Sequence, residues 1–517
     1  MSATDNNTPA AGDATAPGSD SPNDGPPGKV AHGVAPAGIV AALLLLLILA
    51  LAGWFRFSGI VWDNDSHLHP DERFLTDLAS NLRGVEEPLD YFRTSVSTLN
   101  PYNVGRSFYV YGNFPMTATR YAAEWATRLC DNATARAGER PAWCPYTYTA
   151  YDGIHVTGRF LAALVDMVSV LFTFLIGRRL YGKWAGLFAA ALMAFAVMPI
   201  QQSHFFTMDT WAVAFTTLAL YAAVRAATLG DARPRFRWRW WAVFGLALGL
   251  AVASRINMAP LALVINVSAV ILYARIRALA EEKGRKGAGE QGSGSASDSS
   301  FVIRNSSFVI ILGVCLAAFV SILTFRVAQP YAFMDAQMVR ETALAETGVE
   351  PGALVVAVKS IIGLNPQFLS NMAEIQRQQQ PEAMFPPAIQ WVDRPAILFP
   401  LSNMILWGMG ITAGLFAWFA LLWAIWRMLK PNTRYEIRKR GAILNSSLAT
   451  RRSSLPNGCS TPSPSSGRRS TSFIWARAGS SPCATSCPST RRCLCWPGGR
   501  LCICGRERRK RRMTSYE

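Results

Sequence analysis

Leu43 to Leu47 is an unbroken run of leucine inside a longer apolar stretch, Gly38 to Phe57. That stretch matches the ~20 residues an α-helix needs to cross a bilayer. Hydrocarbon offers the backbone no hydrogen-bond partner, so such a run is confined to a helix. Seven further runs follow: Thr157–Ile176, Trp184–Ile200, Phe206–Ala227, Trp240–Ala253, Pro260–Tyr273, Phe308–Phe325 and Phe399–Trp426. The fifth and sixth of the eight are short. The expected fold is therefore an all-α polytopic transmembrane bundle of about eight spans, with two outer loop segments carrying short helices.

Lys and Arg set the orientation. Arg178, Arg179 and Lys183 follow span two, and Arg225, Arg233, Arg235, Arg237 and Arg239 follow span four. Arg275, Arg277, Lys283, Arg285 and Lys286 follow span six, and Arg427, Lys430, Arg434 and Arg438 follow span eight. The four basic loops alternate with loops 58–155, 201–205, 254–259 and 326–398, which are then outward. The expected location is the plasma (cell inner) membrane, with membrane lipid as the surrounding partner.

Only 16% of the residues are charged, yet the net charge is +18. From Gly441 onward there are 14 Lys and Arg against 2 Asp and Glu, and most of the remaining excess sits in the basic loops. The tail and the topology together account for the charge, and no nucleic-acid partner is expected. Residues 1–36 read as a disordered cytoplasmic tail ahead of a membrane domain, 37–430. Residues 281–300 read as a Gly/Ser/Lys/Glu linker.

Residues 441–517 are rich in Ser, Arg, Pro and Cys, without amphipathic periodicity. They hold Cys459, Cys483, Cys487, Cys493, Cys495, Cys502 and Cys504, whose spacing does not match paired zinc sites. This basic tail reads as disordered or frameshifted. An unbroken frame with the same tail in related strains would reject the frameshift. Cys130 and Cys144 share the first outer loop, where an oxidising compartment would permit a disulfide; two free thiols are the alternative.

The chemistry concentrates just after the first span, in Asp63-Asn64-Asp65-Ser66-His67-Leu68-His69-Pro70-Asp71-Glu72-Arg73-Phe74. Pro70 suits the first turn of a helix, and Asp71 and Glu72 suit its dipole. The polar positions Asp71, Asp77 and Asn81 oppose Phe74, Leu75 and Leu78. A carboxylate in apolar surroundings is a candidate general base toward a hydroxyl. A second carboxylate, or a metal, can hold a departing phosphate. The same pair would also serve as the acidic cap of an interfacial helix.

This arrangement, a first span followed by Asp71-Glu72-Arg73-Phe74, resembles the GT-C superfamily of membrane glycosyltransferases. Within it, the chain is most similar to the protein O-mannosyltransferase and aminoarabinose transferase-like enzymes of glycosyltransferase family 39. Gly158-Arg159, Gly177 to Gly182, Gly186 to Ala191 and Ser203 to Asp209 continue the likeness, most specifically over 58–275. The resemblance implies a polyprenyl-phosphate sugar donor, a hydroxyl acceptor (protein, lipid or glycan) and inversion at the sugar. It makes Asp71 the candidate base, with Glu72 its neighbour in the motif.

Three more positions draw on both readings. Asp209, at the outer end of span four, is an intramembrane acid and so a functional candidate; with His204 and His69 it could bind substrate or a divalent cation (Mg or Mn). Arg255 lies outward against the positive-inside trend, where a lipid phosphate is a natural partner and a salt bridge to Asp209 or Glu72 the alternative. Arg159 is a second candidate of that kind. Tyr109, Tyr111 and Gly112 lie in an aromatic outer loop and could face a sugar, with ordinary loop packing the alternative. No P-loop or dinucleotide fingerprint is present, so no nucleotide cofactor is expected. The rival functions are a lipid or sugar transporter or flippase, and a catalytically dead, truncated relative. The transporter reading lacks visible repeats.

Overall fold

In the computed structural model the chain divides into two units, 1–438 and 439–517. The structure describes residues 36–228, 238–287, 295–430, 493–495 and 502–504. The N-terminal tail, most of the Cys-rich tail, the middle of the linker and Arg233, Arg235 and Arg237 lie outside the described residues. In the second unit, β1 (Cys493–Cys495) pairs antiparallel with β2 (Cys502–Cys504).

The described residues of the first unit are helical apart from turns, loops and a bridge between Phe333 and Leu364. In chain order the helices are α1 (Pro36–Phe57), α2 (Pro70–Asn81), α3 (Asn113–Ala137), α4 (Tyr151–Tyr181), α5 (Lys183–Phe195), α6 (Val197–Gln202), α7 (Asp209–Ala227) and α8 (Trp238–Ser254). There follow α9 (Ala262–Gly287), α10 (Ser295–Ala328), α11 (Ala336–Thr347), α12 (Ala353–Ile362), α13 (Pro366–Gln378), α14 (Pro386–Ile389), α15 (Leu398–Asn403) and α16 (Ile411–Leu429). Each apolar run of the sequence meets a helix. Among the described residues six segments are long and apolar enough to cross a membrane, whereas Lys183–Phe195 and Trp238–Ser254 fall short of that length. The chain is an integral membrane protein with an all-α polytopic bundle.

Two expected spans are broken, each for a local reason. Trp184–Ile200 divides at the extended residue Ala196. Pro199 has no N–H to offer the Phe195 carbonyl, and its ring would crowd that oxygen. Phe399–Trp426 divides at Gly410, whose φ of 84° lies where only glycine is unstrained. The linker is shorter than expected: α9 runs on to Gly287 and α10 begins at Ser295. The Ala, Glu and Lys around residues 279–286 are good helix formers and carry α9 forward.

Inside the bundle, Gly245 and Gly249 of α8 meet the α10 backbone at Ala317 and Ser321, where a Cβ would collide. Small residues one turn apart let two helices approach closely. A buried pair, Arg56 of α1 and Asp166 of α4, is joined at 2.6 Å, and Arg56 also donates to the carbonyls of Ala52, Met193 and Ala194. Leu43, Leu46 and Leu47 of α1 face outward instead, as a surface solvated by lipid requires.

One end of the bundle is capped by the two long loops. Gly112 donates to the Ser254 carbonyl at the end of α8, and Asn113 donates to Gln329 beyond α10. The second loop is pinned to the first: Thr94 bonds the Phe333 carbonyl, Ser95 bonds Asp335, and Ser97 bonds Tyr331. Asn371 of α13 is buried and donates to Tyr102 Oη and to the carbonyls of Ser107 and Tyr109. Cys130 and Cys144 form a disulfide that ties α3 to the segment leading into α4.

Candidate functional site

Helix α2 begins where the sequence places it. Pro70 occupies the first turn, and the ring of His69 caps it, accepting from the Glu72 amide at 3.4 Å. Leu75 and Leu78 are fully buried. Asp71 and Glu72 are adjacent, so a helix turns them about 100° apart. They consequently enter two different environments.

Glu72 points into the protein. It is fully buried and forms a two-pronged pair with Arg159, at 2.7 Å on both oxygens. The Phe206 amide also donates to it at 2.8 Å. Arg159 holds Asp63 as well, at 2.9 and 2.8 Å, and the Ile60 carbonyl at 2.8 Å. A guanidinium has five N–H groups. Here all five are used. These hydrogen bonds hold the Asp63 carboxyl down to about 2.

The turn that makes this possible is unusual. Asn64, Asp65 and His67 all have positive φ, between 48° and 59°. Asn, Asp and His tolerate that region better than most residues. Asp65 then reaches His155 Nε2 at 3.0 Å, and the His67 ring packs against His155 and Tyr151.

Asp71 points the other way, into a cavity of about 410 Å³. Arg255, Ile256 and Asn257 line it from the turn after α8; Phe108, Val110 and Tyr111 come from the first loop; Ile375, Gln378, Gln379 and Phe385 come from the second. Tyr111 shares this wall with Asp71. Burial and the Asp71 carboxylate push the Tyr111 phenol above its ordinary range. Arg255 lies over the Tyr111 ring at 5.8 Å and pairs with Asp209 at 2.6 Å. Its Nε is buried and has no hydrogen-bond partner among the described residues.

The structure therefore brings together Asp71, Arg255 and Asp209, and it gathers Glu72 and Arg159 elsewhere. Expected as a phosphate ligand, Arg159 has no N–H left for one. His204 stands with one ring nitrogen 2.8 Å from the Ile200 carbonyl and the other 2.9 Å from the Ser58 carbonyl. His69 is occupied at Nδ1 by its capping bond. The residues expected to hold a cation do not converge: Glu72 is committed to Arg159, Asp209 to Arg255, and both histidines to backbone. Among the described residues no group of three or more His, Cys, Asp and Glu is arranged around a common metal position.

Several cavity residues escaped the sequence reading. Tyr111, which the sequence offered either as facing a sugar or as loop packing, lines the cavity. Phe108, Asn257 and the second-loop residues Ile375, Gln378, Gln379 and Phe385 carried no motif. Asp63 stood among the acids of the first loop without a partner in view.

Comparison with known proteins gives the following. No curated protein matches the sequence. Among solved structures, the S. cerevisiae protein O-mannosyltransferase Pmt1–Pmt2 complex bound to the sugar donor is 14% identical, with a TM-score of 0.37 over 57% of this chain and 34% of that one. The archaeal oligosaccharyltransferase AglB from Archaeoglobus fulgidus, in complex with an inhibitory peptide and a dolichol-phosphate, is 14% identical, with a TM-score of 0.38 over 75% of this chain and 45% of that one. The chain spans less than half the length of these two proteins. Residues 153–284, most of α4 through α9, match the family model for dolichyl-phosphate-mannose-protein mannosyltransferases, in agreement with the resemblance that residues 58–275 carry.

Proposed function

We propose that the protein is a membrane glycosyltransferase that moves a sugar from a polyprenyl-phosphate carrier to a hydroxyl acceptor on the extracytoplasmic side. The observation that carries this reading is the cavity shared by Asp71 and Arg255, a carboxylate and a guanidinium in a mostly apolar wall. Arg255 would hold the donor phosphate through the terminal N–H groups that its one ion pair leaves over, with Asp209 orienting it. Asp71 would accept the proton of the incoming hydroxyl. That oxygen attacks the anomeric carbon, and the bond from that carbon to the phosphate oxygen breaks. Its electron pair leaves with the polyprenyl phosphate, and attack from the face opposite the phosphate inverts the sugar. Every step uses this chain's own residues. Sidedness draws support from the basic loops at the opposite ends of the spans. The Cys130–Cys144 disulfide is likewise of the kind found in oxidising compartments.

Arg159, Glu72 and Asp63 take a positioning role in this scheme. By fixing α2 to α4 they hold Asp71 in the cavity wall, one residue from Glu72. The test is transfer of radiolabelled sugar from polyprenyl-phosphate donors by membranes containing the full chain, beside Asp71→Asn. Loss of a general base typically costs about 10²- to 10⁴-fold in rate. Equal transfer by the variant would remove Asp71 as the base. Movement of intact donor across the membrane without sugar transfer would favour a flippase.

A further inference from the structure

The second outer loop contributes a wall of the cavity that the proposed chemistry does not use. Helix α13 supplies Ile375 and Gln378, and Gln379 and Phe385 follow it. It is firmly held: Asn371 is bonded to three groups of the first loop, and Gln367 donates to the Ser107 carbonyl at 2.7 Å. The cavity wall carries three amide side chains, Asn257, Gln378 and Gln379. Among the described residues, Gln378 is the one whose side-chain amide is oriented by a hydrogen bond, from Nε2 to Glu374 at 2.9 Å. Glu374 is also gripped on both oxygens by Arg377, at 2.7 and 2.6 Å.

An ionised carboxylate only accepts, so the amide nitrogen of Gln378 must face Glu374. Its carbonyl oxygen is then turned away from Glu374 and is free to accept. Ile375 and Phe385 of the same wall have no side-chain polar group to compete for a hydrogen bond. Asp71 and Arg255 are the ionised groups of this wall, and the proposed function engages both. What remains is a neutral, pre-oriented acceptor on an anchored helix, the device by which a site reads a hydroxyl.

We propose that Gln378 is a specificity-determining residue that accepts a hydrogen bond from one ring hydroxyl of the donor sugar, with Glu374 as its positioning residue. This rests on the proposed function and names how the same cavity selects its sugar. A site built to bond a hydroxyl discriminates sharply against an analogue that lacks it, because the protein group is left unpaired.

The test is equilibrium binding of dolichyl-phosphate mannose, its glucose counterpart and the monodeoxy analogues of each to the purified full chain, without acceptor. The wild type should bind one deoxy analogue about tenfold more weakly than its parent, the effect of a single hydrogen bond. Gln378→Leu should bind the parent about tenfold more weakly and no longer distinguish that analogue, and Glu374→Ala should fall between. A purely structural role would weaken all ligands alike and leave discrimination intact. Full discrimination in Gln378→Leu, with binding still dependent on Arg255, overturns this inference alone. Binding of neither parent, or binding indifferent to Arg255, overturns it together with the proposed function.

Discussion

Arg159 and Arg255 are both paired with carboxylates near the capped end of the bundle, yet they are opposites. Arg159 is fully buried, and each of its five N–H groups is spent on Asp63, Glu72 or the Ile60 carbonyl. Arg255 is 28% exposed, makes one ion pair, with an Asp209 that is 41% exposed, and borders the cavity. The difference teaches where a cation can still bind something. A saturated guanidinium is architecture, and an unsaturated one beside a cavity is available to a ligand. Glu72 and Asp71 divide in the same way.

The sharpest break in this comparison is Arg159→Met. It strands two carboxylates in the interior, and breaking a buried pair costs about 3–5 kcal/mol. Detergent extraction and size-exclusion chromatography should show little folded protein. Next in size is Cys130→Ser. Opening a loop of 14 residues should cost about 3 kcal/mol, read as a lower unfolding temperature, with transfer by the folded fraction unchanged.

Acid should expose the architectural arginine. Asp63 has its carboxyl depressed in the folded state, to about 2, so the stability it contributes is present above the unfolded value near 4. That stability is lost as pH falls toward 2, and amounts to about 2 kcal/mol. Thermal unfolding between pH 5 and 2.5 should show the loss, and Asp63→Asn should flatten it. The smallest effect on stability belongs to the other pair: Asp209→Asn should cost about 0–1 kcal/mol, as half-exposed pairs do, while weakening donor binding.

Much of the bundle was legible because apolar runs of bilayer length leave the backbone few choices. Pro70 marked the start of α2. The breaks at Ala196 and Gly410 were visible only through Pro199 and the glycine itself, signals that hydropathy averages away. The partners of Arg159 were not legible. Glu72 is 87 residues distant, and which of two adjacent acids turns inward depends on helical phase against α4. Gln378 was hidden for the same reason: on sequence it is an ordinary polar residue at the end of an amphipathic helix, and only the anchoring of α13 carries it to the cavity.

On the proposed function the two arginines do different work, one holding the fold and the other the donor. Arg255→Ala tests it most directly, with folded yield and sugar transfer measured on the same preparation. Folded yield and unfolding temperature should stay close to wild type, with transfer reduced by about a hundredfold, as for loss of a charge-stabilising contact. A collapse of folded protein like that of Arg159→Met, or undiminished transfer from well-folded protein, would contradict it.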